Sequence, residues 1–341
     1  MNKALDSQIV TTPLPTREGQ GGGSAIRIIF MGTPDFAVES LRTLVENHYN
    51  VVAVVTMPDK PVGRHHDTLQ PSPVKQYAVG QGIPVLQPER LKDEAFLEQL
   101  RSYRADLQVV VAFRMLPEVV WAMPPMGTFN LHAALLPQYR GAAPINWAVI
   151  NGDTETGVTT FFLDHQIDTG RIIHRVPVPI ADTDNAGDVH DRLMTVGADL
   201  VLRTVQDIEA GTAAAVEQDQ FGHAMTELRG APKLFRENTE IRWSEHTVKS
   251  AYDFIRGLSP YPGAWTTMRT ADGRETQLKV FSSEKSAEGL RLVDIQLAGK
   301  RRMKLDEYLR GAHIDGAVLV EKQENGEKVW PFPEKYLTLP R

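Results

Sequence analysis

The sequence contains no cysteine among its 341 residues. This excludes disulfide bonds and thiolate chemistry, and it fits a reducing compartment. No apolar run approaches the roughly 20 residues of a membrane-spanning helix, and the chain does not open with a basic segment followed by an apolar one. We therefore expect neither a membrane anchor nor a signal peptide, and a cytoplasmic protein.

Signatures of nucleotide-binding loops are also missing. The turn after the first predicted strand lacks G-x-G-x-x-G, and no Gly-Lys-Ser or Gly-Lys-Thr occurs, so dinucleotide and phosphate-loop sites are disfavoured. The glycines of Gly21-Gly22-Gly23-Ser24 precede the first strand instead of following it. Residues 1–24 have the composition of a flexible extension or an expression tail.

Acidic residues outnumber basic ones by 43 to 37, which gives a net charge of −6. The excess is uneven, because residues 230–341 contain 19 basic and 16 acidic residues, whereas residues 1–229 contain 18 and 27. A modestly basic C-terminal part suits contacts with phosphates, although such a difference is also common between unrelated domains. The length fits two domains better than one.

Short apolar strands alternate with helix-like segments in the first half of the chain. Ile26–Met31, Val51–Thr56 and Val109–Phe113 have the pattern of buried parallel strands, and Phe36–Glu46 and Glu94–Tyr103 have apolar residues at helical spacing. This alternation predicts an α/β fold with a doubly wound, mostly parallel sheet. The ligand crevice of such a sheet lies at the carboxyl ends of its strands.

The sequence changes character after Gly211. Asp188–Ala210 has the pattern of an amphipathic helix, and residues 212–229 are polar and without periodicity, as in a linker. One helix-like segment, Thr247–Ile255, and several short strands follow, which predicts a small β-barrel. The predicted strands are Thr239–Trp243, Trp265–Thr270, Gln277–Phe281, Arg291–Leu297, Ala317–Glu321 and a last one from Val329. We place the domains at residues 25–211 and 230–341.

Asn130 and His132 are the first candidate catalytic residues. They end an apolar run and are two positions apart, so in a strand they project from the same face. An amide N–H and an imidazolium aimed at one point can stabilise the charge that develops on a carbonyl oxygen under attack. The alternative is a histidine that ends a core strand with its hydrogen bonds satisfied.

Asp168 is the third candidate. An apolar strand at Phe161-Phe162-Leu163 leads into a loop with two carboxylates, Asp164 and Asp168, that ends at Gly170. A carboxylate brought against His132 would orient its ring and stabilise its positive charge. The alternative is that Asp168-Thr169-Gly170 only forms a turn.

These stretches resemble the folate-dependent formyltransferases, in particular those that act on methionyl initiator tRNA. The resemblance runs from Ile26 nearly to the C terminus. It rests on Gly32-Thr33-Pro34-Asp35-Phe36, Ser72-Pro73-Val74-Lys75, Asn130-Leu131-His132, Leu135-Leu136-Pro137, Arg140-Gly141-Ala142-Ala143-Pro144, Gly157-Val158-Thr159 and Asp168-Thr169-Gly170. It implies a Rossmann-like catalytic domain, an OB-like C-terminal barrel that binds tRNA, and transfer of a formyl group from 10-formyltetrahydrofolate to the α-amine of the charged tRNA for translation initiation.

The resemblance also implies a folate pocket at the crevice. Its residues are Phe113, Arg114, Met115, Leu116, Ala134, Leu135, Leu136, Pro137, Asp164 and Ile167. The first stretch, Phe113–Pro117, is one residue shorter than the Tyr-Gly-x-x-Leu-Pro common in the family. For Met115 and Leu116, packing in the core is the alternative.

The polar loop Pro58–Asp67 matches a family loop that reaches toward the acceptor stem of the tRNA. Lys60 and Arg64 are its candidate tRNA contacts, but His65 and His66 stand where the family often has lysines. A metal site at the two histidines lacks a third ligand nearby, so we expect no metal.

The best candidates for phosphate contacts in the C-terminal domain are Lys300, Arg301, Arg302 and Lys304. The alternative for such a cluster is a solvated charged face. The resemblance further implies a monomer. Two rival functions stay open: a formyltransferase acting on an amino sugar or a ribonucleotide amine, and a catalytically inactive module that binds nucleic acid or folate.

Overall fold

The computed structural model describes residues 12–13, 26–62, 68–222, 227–311, 316–332 and 336–339. The strands in chain order are β1 (Thr12–Pro13), β2 (Arg27–Gly32), β3 (Asn50–Val55), β4 (Lys60–Val62), β5 (Thr68–Gln70), β6 (Val85–Leu86), β7 (Leu107–Val111), β8 (Thr128–His132), β9 (Arg140–Gly141), β10 (Glu155–Phe162), β11 (Ile172–Pro179), β12 (Ala214–Ala215), β13 (Gly230–Ala231), β14 (Ala264–Arg269), β15 (Glu275–Ser286), β16 (Gly289–Leu297), β17 (Met303–Lys304), β18 (Val318–Gln323) and β19 (Gly326–Pro331). The α-helices are α1 (Asp35–Glu46), α2 (Pro73–Gly80), α3 (Glu94–Ser102), α4 (Glu118–Trp121), α5 (Pro144–Ile150), α6 (Ala186–Glu209), α7 (Asp219–Gly222), α8 (Val248–Gly257) and α9 (Leu305–Gly311).

The chain forms two compact units. The first unit comprises residues 1–141, 157–178 and 191–230, and the second comprises residues 142–156, 179–190 and 231–341. The second unit thus includes two short segments that precede the C-terminal part in the sequence. The domain boundaries placed at residues 211 and 230 stay a prediction.

The first unit is built on a seven-stranded sheet in the order β11-β10-β8-β7-β2-β3-β6. The strands from β8 to β6 are parallel to one another. From β2 the chain adds β3 and β6 on one side and later β7 and β8 on the other, so the strand order reverses between β2 and β7. Ligands bind at such a reversal, outside the carboxyl ends of the strands. The predicted doubly wound, mostly parallel sheet is confirmed.

Burial on both faces explains why these segments form central strands. β7 is buried along its whole length and β2 at all but its first residue. Ile29 and Met31 pack on one face against Phe96 and Leu97 of α3. Enclosing a side chain of this kind contributes roughly 1.5–3 kcal/mol to folding.

The strand β8 is held from both sides. It pairs parallel with β7, where Asn130 lies opposite Val110, and antiparallel with β10, where His132 lies opposite Thr159. Because side chains alternate along a strand, Asn130 and His132 project from the same face, as predicted. The sheet therefore fixes the backbone under both candidates.

Two segments with predicted irregular structure contain short ladders. Thr12–Pro13 pairs with Ala214–Ala215, and the rest of the predicted extension 1–24 lies outside the described residues. Lys60–Val62 pairs with Thr68–Gln70 at the base of the predicted loop. Residues 63–67, with the predicted contact Arg64, also lie outside the described residues.

The second unit contains a six-stranded antiparallel sheet in the order β17-β16-β15-β14-β18-β19. Helix α8 begins with a capping box, in which Thr247 and Ser250 each bond the other's backbone N–H. Trp243, Ile255 and Met268 are fully buried in the core beside this helix and sheet. The predicted small C-terminal β domain is confirmed as an antiparallel sheet with one principal helix, and its OB-like barrel closure stays a prediction.

The predicted strand Thr239–Trp243 is wrong. Two short 3₁₀ turns, Glu237–Thr239 and Trp243–Glu245, take its two ends, and between them Glu240 forms an isolated parallel bridge with Trp265. Trp243 is fully buried and donates its indole N–H to Oγ1 of Thr266 at 2.9 Å. The buried ring thus belongs to a 3₁₀ turn, and the extended pattern is limited to one bridge.

The long helix α6 spans 24 residues and carries charged side chains along its length. In the described part of the chain, no helix combines the length and the apolar character that crossing a bilayer requires.

Candidate active site

Asn130 has a half-buried side chain in the middle of β8. Its amide makes no hydrogen bond to any other described residue. A buried or half-buried amide normally finds partners within the protein, so this one is available to a bound ligand.

His132, at the end of β8, is only 6% exposed. Its Nε2 lies 2.8 Å from the backbone oxygen of Tyr139. A carbonyl oxygen only accepts hydrogen bonds, so Nε2 carries the proton and donates it. The ring is thereby fixed, and Nδ1 is the atom that faces the carboxylate of Asp168, at 3.9 Å from Oδ2.

Asp168 is held at both its backbone and its carboxylate. Oδ2 accepts the backbone N–H of Gly141 at 2.9 Å. The residue has φ of 55°, in the left-handed region that aspartate tolerates better than most residues. Tyr139, whose carbonyl binds His132, also has a positive φ, 58°. Strained backbone of this kind tends to occur at functional sites.

The loop that carries Asp168 has its own internal bonds. Asp164 Oδ1 accepts the N–H of Gln166 at 2.9 Å and the hydroxyl of Thr169 at 2.8 Å. Gly170 ends the loop against the backbone of Phe162, where a Cβ would lie 1.7 Å from the Phe162 oxygen. Asp164 therefore shapes the loop, and only glycine fits at its end.

The ten residues predicted to contact folate differ in the solvent exposure of their side chains. Met115 and Ile167 are large apolar side chains exposed by 75% and 62%. Phe113 and Leu135 are half-buried, and Asp164 is exposed. The side chains that are buried, and so can offer a ligand little surface, are Leu116, Ala134, Leu136 and Pro137.

The buried members have packing partners. Leu116 belongs to the core under the sheet, and Leu136 packs against Phe161 and Ile172. Leu116 therefore packs in the core, as the alternative interpretation of this residue predicted. Met115, in contrast, is exposed and does not belong to this core.

The guanidinium of Arg114 is engaged by hydrogen bonds within the protein, and its role as a folate contact stays a prediction. Its guanidinium donates to the backbone oxygens of Glu89, at 2.9 Å, and Pro88. Burial lowers the pKa of its guanidinium, and its Nε has no hydrogen-bond partner among the described residues. The side chain ties the loop after β7 to the segment at residues 88–89.

Three of the basic residues predicted to contact tRNA are already paired within the second unit. Arg302 and Lys304 both bind the carboxylate of Asp294, at 2.8 and 3.3 Å, and Arg301 binds Glu307. Lys300 is exposed, and its side chain makes no ion pair with a described residue.

Lys60 in the first unit is likewise exposed. Among the described residues it makes no ion pair. Within the same residues, no three His, Asp or Glu side chains are grouped so that they could hold a metal ion.

Several residues that arrange this site carry no signal in the sequence. Tyr139 orients His132 through its backbone, so its side-chain type carries no signal. Thr159 is buried on β10, where its hydroxyl donates to the oxygen of Ala134 at 2.6 Å and accepts the N–H of Leu136 at 3.1 Å. Gln218 binds the Asp168 loop from 50 residues away.

Comparisons with known proteins agree with the geometry. The family model described as formyl transferase matches residues 26–205, and the model of the formyl transferase C-terminal domain matches residues 233–289. The methionyl-tRNA formyltransferase of Parabacteroides distasonis is 59% identical over 84% of this chain and 95% of its own length. That of Bacteroides thetaiotaomicron is 57% identical over 85% and 96%.

Solved structures share the fold at low identity. HypX from Aquifex aeolicus, in complex with tetrahydrofolic acid, has a TM-score of 0.58 and 15% identity over 90% of this chain and 54% of its own. An N-formyltransferase from Helicobacter canadensis, in complex with folinic acid and dTDP-3-aminofucose, has a TM-score of 0.52 and 21% identity over 82% and 98%. From the family models and the near relatives, this chain belongs to the formyltransferase family, in its methionyl-tRNA formyltransferase branch.

Proposed function

We propose that this protein transfers a formyl group from 10-formyltetrahydrofolate to the α-amine of methionyl initiator tRNA. The proposal rests above all on one observation: Asn130 and His132 project from the same face of β8, and the carboxylate of Asp168 lies 3.9 Å from Nδ1 of His132. It is supported by relatives of 57–59% identity that carry this activity in their names.

The reaction needs positioning and charge stabilisation. An α-amine has an ordinary pKa of about 7.7–8.0, so an appreciable neutral fraction exists near pH 7.5. Its attack on the formyl carbon places negative charge on the formyl oxygen. The unpartnered amide of Asn130 is one donor to that oxygen, and protonated His132 is the other.

The bond to Tyr139 restricts how His132 can take part. Because Nε2 donates to the Tyr139 carbonyl, only Nδ1 can donate to the formyl oxygen while that bond persists. The carboxylate of Asp168 lies 3.9 Å from Nδ1, close enough to stabilise the ring's positive charge but too far for a hydrogen bond between them. Nδ1–H therefore remains free for substrate.

Asp168 has a second task in this scheme. The amine that attacks must lose a proton, and the carboxylate accepts it, directly or through a water molecule. Protonation of the folate nitrogen then releases the leaving group. No metal and no covalent intermediate enters the scheme.

The folate would lie against the exposed apolar residues of the crevice. Met115 and Ile167 offer the surface that an aromatic ring system requires, with half-buried Phe113 and Leu135 beside them. Ala134, Leu136 and Pro137 would contribute backbone and shape, and Arg114 would support the loop.

The C-terminal domain, which we place at residues 230–341 after a linker at 212–229, would bind the tRNA. Lys300 is its best phosphate contact, because among the described residues it is the member of the basic cluster whose side chain makes no ion pair. The other three members of the cluster, Arg301, Arg302 and Lys304, would have to break their ion pairs with protein carboxylates before they could bind phosphates, which would reduce the gain in binding free energy. Lys60 and Arg64 would add contacts from the first domain. The protein would act in the cytoplasm, as a monomer.

A transfer assay tests this function. The purified protein is given 10-formyltetrahydrofolate with methionyl initiator tRNA, and the digested product is searched for N-formylmethionine by mass spectrometry. A parallel reaction offers a dTDP-linked amino sugar in place of the tRNA. We expect product only with tRNA, and a Michaelis constant for tRNA that rises steeply with salt. Product only with the sugar would replace the proposed substrate.

A further inference from the structure

Gln218 lies just before α7, in a position set by backbone pairing. Val216 forms an isolated antiparallel bridge with Ile172, and each donates its N–H to the other's oxygen at 2.8 Å. Because the bridge is antiparallel, Gln218, two residues after Val216, comes opposite Gly170, two residues before Ile172. The side chain of Gln218 is therefore directed at the end of the Asp168 loop, where it is only 3% exposed.

The amide of Gln218 uses its full bonding capacity there. Its Nε2 donates to the backbone oxygens of Asp168 and Gly170, at 2.8 and 2.9 Å. Its Oε1 accepts from Nε and one terminal nitrogen of Arg140, at 3.1 and 2.7 Å. Two donors and two accepted bonds satisfy a primary amide completely.

The Gln218 amide thereby joins the loop that carries Asp168 to the segment at Arg140 and Gly141, which binds the Asp168 carboxylate. Arg140 is followed by Gly141, whose N–H binds Oδ2 of Asp168 at 2.9 Å. Asp168 is thus bonded to the same segment twice, once directly and once through Gln218. Its φ of 55° is an uncommon conformation that needs such support.

We propose that Gln218 is a positioning residue for formyl transfer, which holds the carboxylate of Asp168 beside Nδ1 of His132. The proposal rests on the function proposed above. Gln218 touches no reacting atom and acts through Asp168. Without it, the loop is free to relax, and the carboxylate moves away from Gly141 and His132.

A first test measures whether the Asp168 carboxylate keeps its position, and it needs no activity assay. Hydrogen exchange of the Gly141 amide reports whether its bond to Asp168 persists. In Gln218→Ala we expect this amide to exchange at least about tenfold faster. An unchanged rate would overturn the proposal, whether or not the protein proves to be a transferase.

A second test uses the transfer assay in a double-mutant cycle. Misplacing a catalytic group by about 1 Å can cost a factor of roughly 100, so Gln218→Ala should lower kcat between 10- and 100-fold, with the Michaelis constants nearly unchanged. In the Asp168→Ala background, the same substitution should cost little further. An equal factor in both backgrounds would show a merely structural role.

Two further variants separate positioning from stability. Gln218→Glu keeps the acceptor for Arg140 but loses both donors to the loop, so it should lose kcat as Gln218→Ala does; wild-type turnover in Gln218→Glu would contradict the proposal.

Thr204→Val removes a buried hydroxyl pair with Thr160 in the same unit. It should lower the melting temperature while leaving kcat and Gly141 exchange unchanged. Wild-type protein that forms no product would refute the transferase function, and the exchange rate would still decide the role of Gln218.

Discussion

Oδ2 of Asp168 lies 3.9 Å from Nδ1 of His132 and accepts the backbone N–H of Gly141 at 2.9 Å. One carboxylate oxygen therefore faces the imidazole while a glycine amide fixes its position. The separation from Nδ1 supports an electrostatic role, because it exceeds hydrogen-bond length. Charge and hydrogen bonding at Asp168 can consequently be tested apart.

Asp168→Asn removes the charge and keeps an oxygen for Gly141. Asparagine also tolerates the left-handed backbone conformation of this position, so folding should be nearly unaffected. We expect kcat to fall by a factor of about 100 or more, in the range of a lost acid–base group. Turnover assays and thermal melts of the purified variant measure both effects. Wild-type turnover in Asp168→Asn would exclude a role for the charge.

Gly170→Ala should destabilise the first unit. A Cβ there would lie 1.7 Å from the backbone oxygen of Phe162, so the loop or the strand must shift. Overpacking of this kind typically costs about 1–3 kcal/mol, and displacement of the loop should lower turnover as well. Chemical denaturation gives the free energy of unfolding.

Gly80→Ala is the matched control for that substitution. Gly80 ends α2, and a Cβ there meets no atom within 4 Å. Alanine in a helix is favoured over glycine by roughly 0.5–1 kcal/mol, so this variant should be as stable as wild type or more so. Equal stability of the two variants would contradict the close approach at Gly170.

Arg256→Met should destabilise the second unit. Arg256 Nε donates to Oδ1 of buried Asp253 at 2.8 Å, and another of its nitrogens donates to the Asp184 oxygen at 2.7 Å. Removing one partner of a buried pair costs about 3–5 kcal/mol, and here somewhat less, because Lys249 still binds Asp253. Denaturant unfolding of the purified variant measures the loss.

Arg274→Met is the control for the buried pair. Arg274 and Asp272 form an ion pair at the surface, where both side chains are largely exposed. Exposed pairs contribute little, so unfolding should be almost unchanged. A loss as large as that of Arg256→Met would argue against burial as the cause.

Glu321→Gln should reduce the acid sensitivity of the second unit. Burial raises the pKa of the Glu321 carboxyl, but hydrogen bonds from Ser244 and Gln323 outweigh it, and the pKa lies below its ordinary value. A depressed pKa stabilises the fold above the ordinary value of about 4.3, and this contribution is lost as the pH falls through the folded-state pKa.

Wild type and Glu321→Gln should therefore differ most in unfolding free energy near neutral pH. The difference should shrink as the pH falls below about 4.3. Denaturant unfolding at a series of pH values measures it. A difference that is constant or grows toward low pH would contradict the depressed pKa.

Local patterns in the sequence were enough to predict the strand with Asn130 and His132. Its apolar run and the two-residue spacing decide which face both side chains occupy. Asp168 was also predicted as a carboxylate partner of His132, because its loop follows an apolar strand, and its Oδ2 lies 3.9 Å from Nδ1 of the ring. The alternation of strands and helices likewise predicted the parallel sheet.

Other features depend on contacts that no local pattern encodes. Gln218 meets Asp168 through the register of a single bridge, and Tyr139 acts through a carbonyl that every residue has. The stretch 239–243 was predicted as a strand, whereas it forms a single bridge between two 3₁₀ turns, the second of which begins at the buried Trp243. Asp294 neutralises part of the basic cluster from a different strand, which a charge count along the chain misses.

We propose that Asn130 and His132 stabilise the oxygen of the formyl group under attack. The most direct measurement is the single-turnover rate of formyl transfer to methionyl initiator tRNA by Asn130→Ala and His132→Ala. Asn47→Ala, which removes an amide at the end of α1, is the control. We predict rates lower by about 100- to 1,000-fold in each of the two variants, with melting temperatures close to wild type and a normal rate in the control. Near-normal transfer by both Asn130→Ala and His132→Ala would contradict the account.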